Sequence, residues 1–300
     1  MNYKILLEAS GSLTSSYLIK AVKEAKQLVV ASDIAECAGF HTADDFILMP
    51  KCTDSNLWKK MESLIVKKKI NVVIPSFDET LLGWAERKDY FAKKNIHIII
   101  SDAESLKICQ DKWNTYNFFK NNGIPTPATS LKYEYPLLKP RLGRGGKGIL
   151  INHPDKKISM NGIISQELLT GEEYTIDVFC DFNHLPVYII PRKRLQVKDG
   201  KSTNGITVNE PEISKWVKKI CKAANFIGPI NIQCFVNKSG EIKFTEINPR
   251  VAGGMALGFT ASENWINLIV KNTIEKKAIK VKPVKFGLKM FRSYDEIFVS

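Results

Sequence analysis

The sequence predicts two architectures in succession: a parallel α/β sheet over roughly the first hundred residues, then a strand-rich α+β unit. Three observations carry this expectation. Short apolar runs alternate with amphipathic helical segments as far as "IHIII" at 96–100, the pattern of βαβ units on a parallel sheet. The stretch "IPTPATS" at 124–130 holds two prolines and reads as an extended hinge. Beyond it the alternation gives way to hairpin-like runs separated by turn residues, as far as residue 192.

In order, the first part reads "YKILLEA" strand, "TSSYLIKAVKEA" helix, "QLVVAS" strand, "DDFILMP" strand, "DSNLWKKMESLIVKKK" helix, "NVVIPS" strand, "DETLLGWAERKDYFAKK" helix and "IHIII" strand. Ligands on such sheets bind at the carboxyl ends of the strands. Those ends carry "EASGSLT", "ASD" and "PSFDET", so Ser10, Gly11, Asp78 and Glu79 are candidates for a substrate crevice; Asp78 and Thr80 read equally well as helix caps. One helix is expected over "DAESLKICQDKWNTYNFFKNN", ending at Gly123, and another around "EISKWVKKICKAAN".

Composition narrows the function classes. A chain of 300 residues with 44% hydrophobic and 25% charged content can build two or three compact units. The opening "MNYKILLEASGS" breaks its apolar run at Glu8, unlike a secretory signal or a membrane span, and a cytoplasmic protein is expected. Six cysteines without a C-x-x-C pair and four histidines without ligand spacing predict reduced thiols and no zinc site. The net charge of +13 fits a polyanionic substrate better than nucleic acid, because the lysines fall as doublets along the whole chain with no nucleic-acid motif beside them.

Residues 137–152, "LLKPRLGRGGKGILIN", pack four glycines and four basic residues between apolar runs. Gly143, Gly145 and Gly148 satisfy G-x-G-x-x-G, yet Ile149 stands where a Walker loop needs Lys followed by Ser or Thr. No helix follows the glycines either, since "ILI" and "NHPDKK" read as a strand and a turn. What remains is strand, glycine loop, strand: a hairpin tip able to fold over phosphates among Lys139, Arg141, Arg144 and Lys147, or a flexible basic loop.

The segment 228–250, "GPINIQCFVNKSGEIKFTEINPR", predicts an antiparallel hairpin around the turn "NKSG". If Asn237 faces Gly240, Gln233 lies opposite Phe244. The two-residue period then puts Gln233, Glu246 and Asn248 on one face. One carboxylate and two amide carbonyls suit a hard cation such as Mg²⁺, which takes few protein ligands, and Arg250 follows where it could grip a phosphoryl oxygen.

Taken together, "KWNTYNFFKNNGIPTP" (112–127), "KPRLGRGGKG" (139–148), "QELLTGEEYTIDV" (166–178) and 231–254, ending "EINPRVAGG", resemble the ATP-grasp family. The close "FRSYDEIFV" is similar to that of its carbamoyl-phosphate-synthase-like branch. The resemblance implies a Rossmann-like pre-ATP-grasp domain over 1–106. A two-lobed ATP-grasp domain over 107–300 would follow, its mobile glycine-loop lobe at about 124–170.

The resemblance also implies roles. Lys112 and Lys139 correspond to the lysines that hold ATP phosphates, under a cover formed by Gly143, Arg144, Gly145, Gly146, Lys147 and Gly148. In the segment Gln166, Glu167, Leu168 and Leu169, Gln166 would meet the adenine amino group while the backbone of Glu167 and Leu169 reads the adenine edge. Glu173 would bind the ribose. Gln233, Glu246 and Asn248 map onto the Mg²⁺ ligands, Glu246 bridging two ions and Mn²⁺ an acceptable substitute; Gln233 stands where other members carry Glu. Arg192 and Arg194 lie in a basic segment near the phosphates. Catalysis would fall to Arg250, Lys139 and Glu246.

The expected activity is an ATP- and Mg²⁺-dependent carboxylate–amine ligase working through an acyl-phosphate on a small acid such as an amino acid or sugar acid. A carboxylating or phosphorylating enzyme on the same scaffold and a non-catalytic nucleotide-binding module are the alternatives. Small-molecule partners and a homodimer complete the expectation.

Overall fold

The computed structural model describes residues 2–12, 15–154, 157–198, 201–293 and 296–299. Leu13 and Thr14 of "EASGSLT", Asp155 and Lys156 of "NHPDKK", and Tyr294 and Asp295 of the closing motif lie outside the described residues.

The N-terminal part runs β1 (Lys4–Leu7), α1 (Ser15–Glu24), β2 (Leu28–Asp33), α2 (Ala38–Thr42), β3 (Asp45–Leu48), α3 (Leu57–Lys67), β4 (Val72–Ile74), α4 (Asp78–Glu86), α5 (Lys88–Ala92) and β5 (His97–Ile98). Its five strands are parallel in the order β3-β2-β1-β4-β5. Ile5, Leu6, Leu7, Val29, Val30, Val72 and Val73 are all buried, because helices cover both faces of the sheet. The strand order reverses between β1 and β4, so the crevice outside their carboxyl ends is where ligands bind on such sheets.

Two expected helices are broken. The run after β4 splits at Arg87 into α4 and α5. The run after β5 splits at Asp111 into α6 (Ala103–Gln110) and α7 (Lys112–Asn121). Asp111 has extended backbone, φ −113° and ψ 116°, and its side chain caps α7 by accepting from the Trp113 amide. An aspartate that caps the second helix thus ends the first, and Lys112 becomes the first residue of α7.

The second part holds two sheets. β6 (Thr129–Ser130), β7 (Leu137–Pro140), β8 (Leu150–Ile151) and β9 (Ile163–Gln166) form a four-stranded antiparallel sheet in the order β6-β9-β7-β8. β10 (Glu172–Cys180), β11 (Pro186–Lys198), β12 (Lys201–Thr207), β13 (Gly228–Val236), β14 (Ile242–Asn248) and β15 (Lys289–Phe291) form a six-stranded sheet in the order β14-β13-β10-β11-β12-β15. Helix α8 (Pro211–Ala223) buries Ile213, Val217 and Ile220 in a core with Ile176, Val178, Ile230, Ile232 and Phe244. A second core joins Phe179, Tyr188 and Ile190 to Met255, to Phe259 of α9 (Ala256–Ala261) and to Trp265 and Ile266 of α10 (Trp265–Leu268). The same core includes Leu18 and Val22 of α1, which ties the two parts together.

Candidate active site

The hairpin around "NKSG" forms as expected, with its register corrected. Asn237 and Gly240 close the turn through a 3.0 Å amide-to-carbonyl bond, and the Asn237 side chain accepts from the Ser239 and Glu241 amides. Gln233, however, pairs with Glu246 rather than Phe244, because Asn237 faces Glu241 rather than Gly240 and the register shifts by one further residue between Gln233 and Cys234. The bulge makes Gln233 and Glu246 direct cross-strand neighbours. Asn231 pairs with Asn248 two residues along, so Gln233, Glu246 and Asn248 still share one face. This set, one carboxylate with two amides, fits a hard divalent ion that completes its shell with water and phosphate. Among the described residues no cluster of three or more His, Cys, Asp or Glu competes for that role.

Register extends this face across the sheet. Thr175 of β10 pairs with Gln233 on one side and with Arg192 of β11 on the other, and Arg192 pairs with Thr207. One cross-strand row therefore reads Glu246, Gln233, Thr175, Arg192, Thr207. Beside it Asn248, Asn231, Asp177 and Ile190 form the next row. Asp177 is fully buried; its Oδ2 accepts from Arg192 Nε at 2.9 Å and its Oδ1 from Asn231 Nδ2 at 2.8 Å. Thr175, Asp177 and Asn231 are site residues that motif reading passed over. The signal was there: Glu173, Thr175 and Asp177 alternate with apolar Tyr174, Ile176 and Val178.

The four-stranded sheet brings in the lysines. Lys139 sits on β7, where burial pushes its ammonium down to about 8; Glu246 opposes that shift and Lys112 adds to it. Lys139, Lys112 and Glu246 therefore share one electrostatic neighbourhood although they come from different sheets and a helix. Lys112 donates through Nζ to the Gly143 carbonyl at 2.8 Å and through its amide to the Arg141 carbonyl at 3.0 Å. Arg141 is in turn paired with Asp111. The loop between β7 and β8 is the strand–loop–strand hairpin the sequence predicts, with Gly143, Gly145, Gly146 and Gly148 all at positive φ, a conformation open to glycine at little cost. Arg144 at its tip reaches the N-terminal part, donating to Asp78 Oδ2 at 2.9 Å, lying 3.0 Å from Glu79 Oε1 and resting over the Phe77 ring. Lys147 is exposed.

The segment expected to read adenine is held by bonds within the protein. Gln166 is buried and its side-chain amide donates to Thr129 Oγ1 at 2.8 Å. The Glu167 amide donates to the Ala128 carbonyl, while its carboxylate accepts from Lys243 at 2.6 Å and from the Ala128 amide at 3.1 Å. Glu173 accepts two bonds from Arg194, at 2.8 and 3.0 Å.

At the N-terminal face the structure separates the four crevice candidates. Ser10 is buried, its hydroxyl bonded to the Leu7 carbonyl and the Ser32 amide, and the Gly11 amide donates to Asp33, so both are tied to the N-terminal sheet. Asp78 and Glu79 face the second part. They are fixed from below by buried Glu8, which accepts from Trp84 Nε1 at 2.7 Å, Thr80 Oγ1 at 3.0 Å and the Ser76 amide at 3.1 Å. Burial pushes the Glu8 carboxyl up, and these donors pull it back. Asp78 lies at the switch point between β1 and β4, and Arg250 meets it there.

Comparisons with known proteins agree with this geometry. Residues 5–99 match the family described as "PylC-like, N-terminal domain", and residues 159–294 match "ATP-grasp in the biosynthetic pathway with Ter operon". The chain is 29% identical over 219 residues to the D-alanine–D-alanine ligase of Petrotoga mobilis, covering 59% of this chain and 72% of that one. To the carbamoyl-phosphate synthase of Methanobrevibacter smithii it is 23% identical over 154 residues, covering 45% of this chain and 41% of that one. The fold superposes on a Campylobacter jejuni biotin carboxylase crystal structure with a TM-score of 0.76 at 16% identity, over 95% of this chain and 74% of the other. A PylC-like sheet over 5–99 is joined to an ATP-grasp domain over 159–294 whose strands carry Gln233, Glu246 and Asn248 and whose next turn carries Arg250, so the chain has the make-up of ATP-grasp proteins, with likeness to a carbamoyl-phosphate synthase.

Proposed function

We propose that the chain is an ATP- and Mg²⁺-dependent ligase that forms a carbon–nitrogen bond between a small carboxylic acid and an amine through an acyl-phosphate. The observation that carries the reading is the convergence of Glu246, Gln233 and Asn248 from one sheet with Lys139 from another and Arg250 from the turn after β14. ATP-grasp proteins use ATP with Mg²⁺, and relatives of this chain include a D-alanine–D-alanine ligase.

A carboxylate oxygen is a poor leaving group at neutral pH, and phosphate is a good one. Lys112 and Lys139 would hold the triphosphate under the 143–148 loop, and the lobe of about 124–170 would move as its cover. Gln233, Glu246 and Asn248 would hold Mg²⁺, which neutralises charge on the phosphoryl group in transfer. Arg250 would keep the acid in line with the γ-phosphate, and closure of the loop excludes water from the product of transfer. Glu167, Leu168 and Leu169 would present backbone groups to the base, with Glu173 toward the ribose.

No helix among the described residues is long and apolar enough to cross a membrane. The proposal includes small-molecule partners rather than nucleic acid, a cytoplasmic setting and a homodimer. Its test is a phosphate-release screen of carboxylates paired with amines, with bicarbonate as a separate arm. ADP and phosphate formed only when acid and amine are both present support the reading; turnover that requires bicarbonate and no amine contradicts it.

A further inference from the structure

Arg192 is 2% exposed and Thr175 likewise 2%, and neither Arg192 Nη1 nor Thr175 Oγ1 has a hydrogen-bond partner. The two are adjacent in the cross-strand row that begins with Glu246 and Gln233. Arg192 is not loosely placed. Its Nε donates to Asp177, whose other oxygen is taken by Asn231, so the carboxylate sets the orientation of the guanidinium and leaves its Nη1 edge bare. Gly254 completes the seat: a Cβ there would lie 2.6 Å from Nη1, so the absence of a side chain lets the guanidinium lie against the backbone. A buried charged donor without an acceptor keeps its desolvation penalty, which an arriving anion relieves.

The segment 250–254 gathers more positive charge. Arg250 starts it, Arg292 Nη2 donates to the Gly253 carbonyl, and the Tyr17 hydroxyl donates to the Ala252 carbonyl at 3.0 Å. ATP phosphates do not account for Arg192. They would sit with Lys112, Lys139 and the Gln233–Glu246 pair, and Arg192 is two strands from Gln233, about 10 Å away.

Resting on the ligase reading above, we infer that Arg192 and Thr175 receive a second anionic group of the acid substrate. The substrate class is then a carboxylic acid with an anionic tail, carboxylate or phosphate. Its reacting carboxylate is held at Arg250, and its tail lies four residues along the same segment at Arg192.

The test is calorimetric titration of the full chain saturated with Mg-ADP. The probes are propionate, the α,ω-dicarboxylates from malonate to adipate, and 3-phosphonopropionate as the phosphate-like arm. At least one diacid binds about ten-fold or more tighter than propionate, the size of one recovered charged hydrogen bond. Arg192→Lys keeps the charge beside Asp177 but loses the Nη1 edge; it removes that preference and leaves Mg-ADP affinity unchanged. Thr175→Val weakens the same diacid without touching the Asp177 pair, so the test stays readable if Arg192→Lys fails to fold. A flat diacid series beside normal Mg-ADP binding overturns this inference alone, as does an Arg192→Lys protein weakened for Mg-ADP and not for the diacid. Failure of Mg-ADP to bind overturns the ligase reading and this inference with it.

Discussion

Arg250 grips Asp78 with two nitrogens, Nε donating to Oδ1 at 2.8 Å and Nη2 to Oδ2 at 3.1 Å. The partners are 172 positions apart, one at the start of α4 and the other in the turn after β14, and Arg144 from the glycine loop adds a third bond to the same carboxylate at 2.9 Å. One aspartate at the switch point of the N-terminal sheet thus holds both the arginine proposed to meet the substrate carboxylate and the tip of the proposed cover.

This contact predicts how the loop is cut. Arg144 is held and Lys147 is exposed, so trypsin should cleave the free protein after Lys147 first. Asp78→Asn should speed cleavage after Arg144 by about two- to five-fold, because a partly exposed pair is worth ~0.5–1 kcal/mol. Mg-ATP should protect both bonds. Peptide mapping over time checks this, and equal cutting with and without nucleotide would leave the loop merely flexible.

The same pair sets a pH dependence. Burial raises the Asp78 carboxyl, but Arg250 and Arg144 outweigh it and hold the group below the ordinary carboxylate value. A depressed carboxylate contributes stability that is present above the unfolded-state value of about 3.9 and lost as pH falls through the lower folded value. Urea midpoints followed from pH 6 down to pH 3 should therefore fall more steeply for the native chain than for Asp78→Asn. Parallel curves would show that the pair adds nothing to stability.

Glu246→Ala should lower ATP turnover by about 10²-fold or more while leaving the urea midpoint nearly unchanged, since the side chain is only half-buried and its loss removes charge rather than packing. Gln233→Glu should retain activity, because it places a second carboxylate directly opposite Glu246 on the adjoining strand. Lys139→Ala should raise KM for ATP and lower kcat together, as the loss of a charge that acts on bound nucleotide and on the transferring group requires. Steady-state kinetics on the three variants separates these outcomes.

Gly254→Ala should destabilise the chain by about 1–3 kcal/mol, the cost of forcing a methyl into a packed site, because the Cβ would fall 2.6 Å from Arg192 Nη1. The change is read as a shift in urea midpoint at constant slope. Activity lost with no change in midpoint would mean that the guanidinium moves aside.

Much of this site is legible in the sequence because period and turn chemistry are local. The "NKSG" turn, the alternation of Gln233 with its neighbours and the glycine loop all follow from residues close in the chain. The bulge that sets Gln233 against Glu246 does not, since either register leaves the same residues on the same face. Asp111 shows a different limit. Its cap on α7 breaks what reads as one amphipathic helix, and the break positions Lys112 beside the Gly143 carbonyl. Asp78 and Asp177 were legible as polar residues at a strand end and on a strand face, but their partners Arg250 and Arg192 are fixed by long-range packing. Ser10 and Gly11 share the strand-end position with Asp78, and their bonds run to Leu7, Ser32 and Asp33 of the same sheet.

Arg250 is proposed to hold a carboxylate while it takes up the γ-phosphoryl group of ATP. Hydroxylamine tests it most directly, because so small a nucleophile intercepts an acyl-phosphate without an amine-specific site. With ATP, Mg²⁺ and the carboxylate found by the phosphate-release screen, the native chain should form ADP and a hydroxamate in equal amounts, and Arg250→Ala should suppress both. AMP and pyrophosphate beside the hydroxamate would show adenylation and contradict the account.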